Sequence, residues 1–212
     1  MRLIIAALVA TTAIATPIIA QQMQKPGSKS TAALTGGTYT VDPNHTLVKW
    51  EVDHLGFSPL YGLFGQVTGT LTLDPKNPSA SKVDVTIPVS KMATAVPGFT
   101  AHLLSPGKDG KKPDFFGATP ADAKFVSTSV VVDGGGDEAK VTGNFTLNGV
   151  TKQIVLDVDF YGAGKAPAPM GGKENVGFEA EATVKRSDYG LGYAVPMVSD
   201  EVKLEIAAAF QK

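Results

Sequence analysis

The sequence predicts an all-β protein of eight antiparallel strands in one domain. Three observations carry this. Eight segments alternate apolar and polar residues with period two, as strands with one buried face do. Turn residues separate them, with Gly 23 and Pro 14 in a chain of 212 residues. No apolar stripe of helical period has useful length. Eight such strands can close into a barrel, which removes exposed edges, or stack as two open sheets; alternation alone does not choose between the two.

The domain is expected over residues 38–212. Residues 1–20 begin with Arg2, continue as the apolar run "LIIAALVATTAIA" and end in small residues. That is the pattern of a cleaved export signal, with cleavage after Ala15 or Ala20; the basic flank of a retained anchor is missing. Residues 21–37, "QQMQKPGSKSTAALTGG", are polar, small and patternless, and predict a flexible tether.

The first strand, roughly 46–54, puts Val48, Trp50 and Val52 on one face and Lys49, Glu51 and Asp53 on the other. The second, "LFGQVTGTLTLD", aligns Val67, Leu71 and Leu73, with glycines that suggest a bend or bulge. "KVDVTIPV" sets Val83, Val85, Ile87 and Val89 against Asp84 and Thr86. "FVSTSVVV" is ambiguous, since Val126, Val130 and Val132 oppose Phe125 and Val131. After the turn "DGGGDE", "KVTGNFTL" aligns Val141, Phe145 and Leu147, and Asn148-Gly149 is a two-residue hairpin signal. "TKQIVLDVDF" carries Ile154, Leu156, Val158 and Phe160 on one face, with Val155 the exception. Phe178, Ala180, Ala182 and Val184 share a face of the seventh strand, and Val202, Leu204, Ile206, Ala208 and Phe210 share a face of the eighth. Three stretches break the pattern: "VPGFTAHLL", expected to hold a short helical turn; "SPGKDGKKPD", a basic surface loop; and "GAGKAPAPMGGKEN", a long Pro/Gly loop.

Two apolar faces end in a basic group: His54 follows Val48, Trp50 and Val52 in phase, and Arg186 follows Val184. A buried charge must meet water, a carboxylate or a ligand headgroup. For Arg186 the candidates are a nearby acid such as Asp188 or a ligand; for His54, a structural strand-end role or a headgroup. If both strand ends lie at one mouth of a barrel, the cavity body would take a hydrocarbon and the rim a polar head.

Composition excludes several chemistries. Hydrophobic residues at 43% and charged residues at 18% suit a globular protein, and a net charge of −1 leaves no nucleic-acid footprint. The absence of cysteine removes disulfides, thiolate metal sites and a cysteine nucleophile. There is no G-x-S-x-G, H-E-x-x-H, phosphate loop or dinucleotide fingerprint. Asp53 and His54 point to opposite faces of a strand, which argues against a hydrolytic set with Ser58. His45, His54 and His102 are spaced too loosely for a metal site to be expected. No catalytic residue is assigned, and the chain is read as a non-enzyme.

From about Thr38 onward the chain resembles the YceI-like family of exported bacterial proteins. "YTVDPNHTLVKWEVDHLGF" is similar to the family's opening and "GQVTGTLTLD" to its second strand. "AHLLS" followed by "DFF" is similar to its helical link, "VTGNFTLNGVTK" to its hairpin, and "VKRSDYGLG" to its Arg-Ser-Asp-aromatic-Gly segment. The extra "PGKDGKKP" between the two halves of the link, and the long N-terminal tether, depart from the family pattern. The resemblance implies a lipocalin-like barrel with an elongated apolar cavity. It implies a soluble periplasmic protein that holds an isoprenoid chain or a related amphiphile: a polyprenyl phosphate, a prenylated quinone or a fatty amide.

The matching positions that would line or close the cavity are Trp50, His54, Leu55, Phe57, Phe64, His102, Leu103, Phe115, Phe116, Arg186 and Tyr189. The inward phase adds Val52, Leu71, Val85, Ile87, Phe145, Phe178 and Ala182. No cofactor is expected beyond a polyprenyl lipid or prenylated quinone held as ligand. Transient contact with a membrane or a membrane protein, and a homodimer, stay open. The alternative is a periplasmic interaction or structural protein with a filled core.

Overall fold

The computed structural model describes residues 25–133 and 135–212, so the expected export signal over 1–20 lies outside the described residues. The strands are β1 (Gly27–Ser28), β2 (Gly37–Val41), β3 (Leu47–His54), β4 (Ser58–Phe64), β5 (Thr68–Leu73), β6 (Lys82–Ile87), β7 (Ala123–Val132), β8 (Glu138–Leu147), β9 (Val150–Lys165), β10 (Glu174–Lys185) and β11 (Glu201–Gln211). One short helix, α1 (Pro97–Leu103), lies in the link between β6 and β7.

Pairing runs β5-β6-β7-β8-β9-β10-β11 without a break, all antiparallel. β11 then returns to the start of the chain and closes the ring. It does so with two partners on one edge: Phe210 and Gln211 face Val41 and Thr40 of β2, while Lys203–Ala207 face Glu51–Leu47 of β3. β2 and β3 therefore occupy one strand position in series, and β4 and β5, paired to β3 and β2 respectively, occupy the next. The barrel has the eight positions that the alternation predicts, but the first two are each built from two strands. The fold is a closed antiparallel barrel rather than a pair of open sheets.

The break between β2 and β3 is sealed by a side chain. The Thr46 hydroxyl donates to the Ala209 carbonyl at 3.1 Å and accepts from the Ala209 N–H at 3.0 Å, reproducing the exchange a backbone partner would make. Asp42 N–H also reaches the Ala209 carbonyl, at 2.8 Å. Thr46 is a buried polar residue for this reason.

Other departures have local causes. The second predicted strand is interrupted at Gly65–Val67, where Gln66 takes a φ of 55°, so Phe64 and Val67 both face inward although three residues apart. The ambiguous β7 pattern is a β-bulge: pairing shifts between Ser127 and Ser129. Phe125 before it and Val130 and Val132 after it then share the inner face, and Val131 is exposed. A second shift, between Gly177 and Phe178, leaves Tyr161 outside. β9 runs to Lys165 and β10 starts at Glu174, so the Pro/Gly loop is confined to 166–173.

Where a patternless tether is expected, residues 27–28 pair with Ala163 and Gly164 of β9. Thr35 donates to Glu174 through its N–H at 2.9 Å and its hydroxyl at 3.0 Å, and the Tyr39 hydroxyl also donates to Glu174. Burial, then the Glu174 carboxylate, pushes the Tyr39 pKa up to about 12. Lys212 adds a bond from Nζ to the Thr35 hydroxyl at 3.0 Å. The segment before β2 is thus clasped to the end of the barrel opposite His54.

Replacing Thr46 by Val keeps the shape and deletes both bonds to Ala209. A buried N–H left unpaired costs about 1–3 kcal/mol. The variant should lose that much in urea unfolding, and a loss under about 0.5 kcal/mol would show that the seam does not depend on the hydroxyl.

Candidate functional site

The inward faces of all eight strand positions enclose a cavity of about 610 Å³. This is within the range of pockets that engulf small organic ligands, about 300–1,000 Å³. The wall is almost wholly aliphatic and aromatic. Phe160, Phe178 and Phe210, on the adjacent strands β9, β10 and β11, form a row with ring centroids 6.0 and 6.3 Å apart. Toward the clasped end the cavity reaches Lys82, Asp137 and Glu138.

The other end is the mouth. It is framed by the 54–58 turn, the β6–β7 link and the loop from Arg186 to Asp200. His102 of α1, Phe115 and Tyr193 meet edge to face, with centroids 5.4 Å (His102–Phe115), 6.4 Å (His102–Tyr193) and 5.5 Å (Phe115–Tyr193) apart. His102 and Tyr193 both line the cavity and meet solvent, which marks the opening. The link is fixed to β4 by reciprocal backbone bonds between Leu63 and Ala93, at 2.8 and 2.9 Å.

His54 and Arg186 sit at this same end. His54 bridges Val198 through the backbone, and Arg186 donates from Nη2 to the Val198 carbonyl at 2.8 Å. Both line the cavity. Their partners differ from the sequence expectation. Arg186 does not pair with Asp188, whose carboxylate lies 3.9 Å from Lys152 instead. Its guanidinium is spent on backbone carbonyls: Nε on Ser199 at 2.8 Å, Nη1 on Tyr193 at 2.7 Å and on Leu191, and Nη2 on Val198. Burial pushes its pKa below the ordinary arginine value, and the Asp200 carboxylate opposes this. Hydrogen bonds from the Ser187 hydroxyl and N–H hold Asp200 itself below the usual aspartate value. Arg186 fixes the mouth loop in place, with at most one of its five N–H groups left over.

Of the residues expected at the site, Trp50, Val52, Phe64, Leu71, Val85, Ile87, Leu103, Phe115, Phe116, Phe145 and Phe178 line the cavity together with His54, His102 and Arg186. Four do not. Tyr189 is fully buried behind the wall, its ring 5.5 Å from that of Phe145. Ala182 is half-buried and is not part of the cavity wall, although Ala180 on the same face is. Leu55 and Phe57 project outward on the turn beyond β3, Phe57 being 87% exposed. That turn is capped by Asp53, whose Oδ1 accepts from the Gly56 N–H at 2.7 Å; Asp53 serves the turn and not His54. His45 pairs with Asp42 at 2.7 Å in the β2–β3 joint.

Sequence reasoning missed Phe99, Phe125, Tyr193 and Val198 of the lining, and it missed the glycines beneath two of the rings. A Cβ on Gly62 would fall 2.2 Å from the Trp50 ring, and one on Gly143 would fall 2.3 Å from Phe125. An inward-phase glycine inside a strand is the signal for such a ring.

A closed eight-stranded barrel around an apolar, end-opening cavity defines a lipocalin-like protein. The YceI-like domain family matches residues 39–210, and the chain belongs to that family. A protein called YceI from Shigella flexneri is 39% identical over 181 residues, covering 84% of this chain and 88% of its own. Its counterpart from Salmonella agona gives the same figures. Among solved structures, the YCEI protein of Campylobacter jejuni superposes with a TM-score of 0.60 at 29% identity, over 76% of this chain and 89% of its own. Burkholderia cenocepacia BcnA has a TM-score of 0.64 at 22% identity, over 80% of this chain and 98% of its own. A domain from Saccharophagus degradans, described as polyisoprenoid binding, has a TM-score of 0.58 at 12% identity, over 82% and 97%. The last two share the fold.

Replacing Arg186 by Met leaves four mouth-loop carbonyls without their donor. Bonds to a charged group are worth about 1.5–3 kcal/mol each, so the loss should be about 3 kcal/mol or more, with Lys recovering little of it. Denaturant unfolding measures this directly, and a destabilisation under about 1 kcal/mol would contradict the structural role.

Proposed function

We propose that this protein is an exported, non-enzymatic carrier that holds an isoprenoid or related long-chain amphiphile inside its barrel. The observation that supports it is the cavity of about 610 Å³ walled by apolar side chains from every strand position. Burying a methylene is worth about 0.8 kcal/mol, so each five-carbon isoprene unit adds roughly 3–4 kcal/mol before ordering costs. A few units are enough for firm retention. A polyprenyl phosphate, a prenylated quinone and a fatty amide all have the required tail. The polyisoprenoid-binding description of the Saccharophagus degradans domain is in keeping with this reading, and so is the export signal expected over residues 1–20, which would deliver the protein to the periplasm.

Protein purified from the periplasm should carry, in native mass spectrometry, an added mass that organic solvent removes. Protein that emerges empty and takes up no polyprenyl lipid when it is added would favour the filled-core interaction protein instead.

The mouth also offers a route for loading. Leu55 and Met197 are joined by a backbone bond of 2.9 Å, which sets the 55–57 and 193–198 turns side by side. Phe57 and Met197 stand 87% and 62% exposed there. In this reading these side chains dip into a membrane surface while the cavity fills, and Lys108, Lys111 and Lys112 belong to the β6–β7 link, which also frames the mouth. Phe57→Ser should slow uptake from vesicles several-fold and leave affinity for detergent-dispersed lipid unchanged. An unchanged vesicle rate would remove the turn from the loading step.

A further inference from the structure

The barrel wall is not equally complete on every side. β6 and β7 pair only where Asp84–Ile87 face Val126–Ala123. The register shift between Ser127 and Ser129 follows at once, and a bulge of this kind bends its strand. The last link across is a side chain: the Val83 N–H donates to the Ser127 hydroxyl at 2.9 Å. From Ser129 to Val132, β7 keeps β8 on one edge and, among the described residues, has no strand on the other. The backbone groups of such an edge need water, so apolar packing cannot seal the gap.

The cavity follows this gap. Lys82, Val83, Val130, Val132, Asp137 and Glu138 line it there. Lys82, Asp137 and Glu138 are exposed, so cavity-lining residues meet solvent here as His102 and Tyr193 do at the mouth. The clasp lies elsewhere. Its segment is bound to β9 and to Glu174, and none of its described residues lines the cavity.

We propose that the gap between β6 and the lower half of β7 is a second opening of the cavity, through which the far end of the cargo chain leaves the barrel. This rests on the carrier reading above and adds the length class of the cargo: chains longer than the interior, including chains with a polar group at the far end. Each methylene buried inside raises affinity by up to about fourfold. Beyond the gap a further methylene lies in water beside Lys82, Asp137 and Glu138 and adds nothing. A blind cavity would reject the excess, because overfilling a packed space is destabilising. A hydroxyl at the far end stays hydrated at the charged rim, whereas a blind cavity would bury it unpaired.

The probes are prenyl alcohols of rising length presented on cyclodextrin, and the longest of them with a second hydroxyl at its far end. Affinity should rise with length and then hold level, within about twofold, for all longer chains. The far-hydroxyl probe should match its parent within about twofold. The chain has no cysteine, so Lys82→Cys and Glu138→Cys each give one labelling site, both at exposed positions. A bulky maleimide at either should lower the ratio of longest-chain to shortest-chain affinity about tenfold or more. The same label on Lys203→Cys, on the outer face of β11, should leave that ratio unchanged. If affinity drops sharply beyond one length, or the far hydroxyl abolishes binding, the cavity is blind: the opening is overturned and the carrier reading stands. An unchanged ratio in the folded, labelled Lys82→Cys and Glu138→Cys proteins overturns it as well. If wild-type protein binds none of the chains, the carrier reading itself fails.

Discussion

Everything in this molecule depends on one edge of β11 finding two partners. A sheet of this length has either exposed edges or a seam, and here the seam falls where the first strand position is broken. The backbone of Ala209 would face a gap between β2 and β3. Thr46 fills it with a hydroxyl that donates and accepts at once. The closed ring keeps the inner side chains of opposite walls apart, because the hydrogen-bonded circumference sets the diameter. The same residues in an open sandwich would collapse onto each other, and no cavity would remain.

The mouth is held by a different device. A guanidinium in an apolar wall commonly meets a carboxylate. Arg186 meets backbone carbonyls of one loop instead, and so holds the 15-residue connection between β10 and β11 as a fixed rim. Its charge is solvated by oriented peptide dipoles, with Asp200 nearby. The cavity thus has an electrically busy collar above a largely apolar interior.

The sequence made most of the barrel legible, because most of the inward faces are alternations that leave one choice of side. What it hid was produced by interruptions. β4 begins Ser58-Pro59 and contains Gly62, so it lacks the composition of a strand, and β2 is a strand of five residues at the edge of the expected tether. The β7 bulge inverts phase midway, which is why Phe125 and Val131 looked like one face when they lie on opposite ones. His54 and Arg186 were legible as a pair because each ends an apolar face. Arg186's partners were not, since they are main-chain atoms of a loop whose path no side-chain pattern records. Leu55 and Phe57 were placed at the cavity by the family resemblance, whereas Leu55 adopts a left-handed φ of 61° at the turn beyond β3 and both side chains are exposed. The union of Trp50 with Gly62 is a cross-strand fact and needs the register to be seen.

The clasp at the closed end also sets an order in time. Thr40 and Gln211 touch although 171 positions apart, and Lys212 reaches back to Thr35. The wall therefore lacks its last stave until nearly the whole polypeptide is available. Contacts of such long range make for slow folding. A chain emerging through a narrow passage, amino end first, stays pliable until its final residues arrive. The cavity is then closed only after the last strand has arrived.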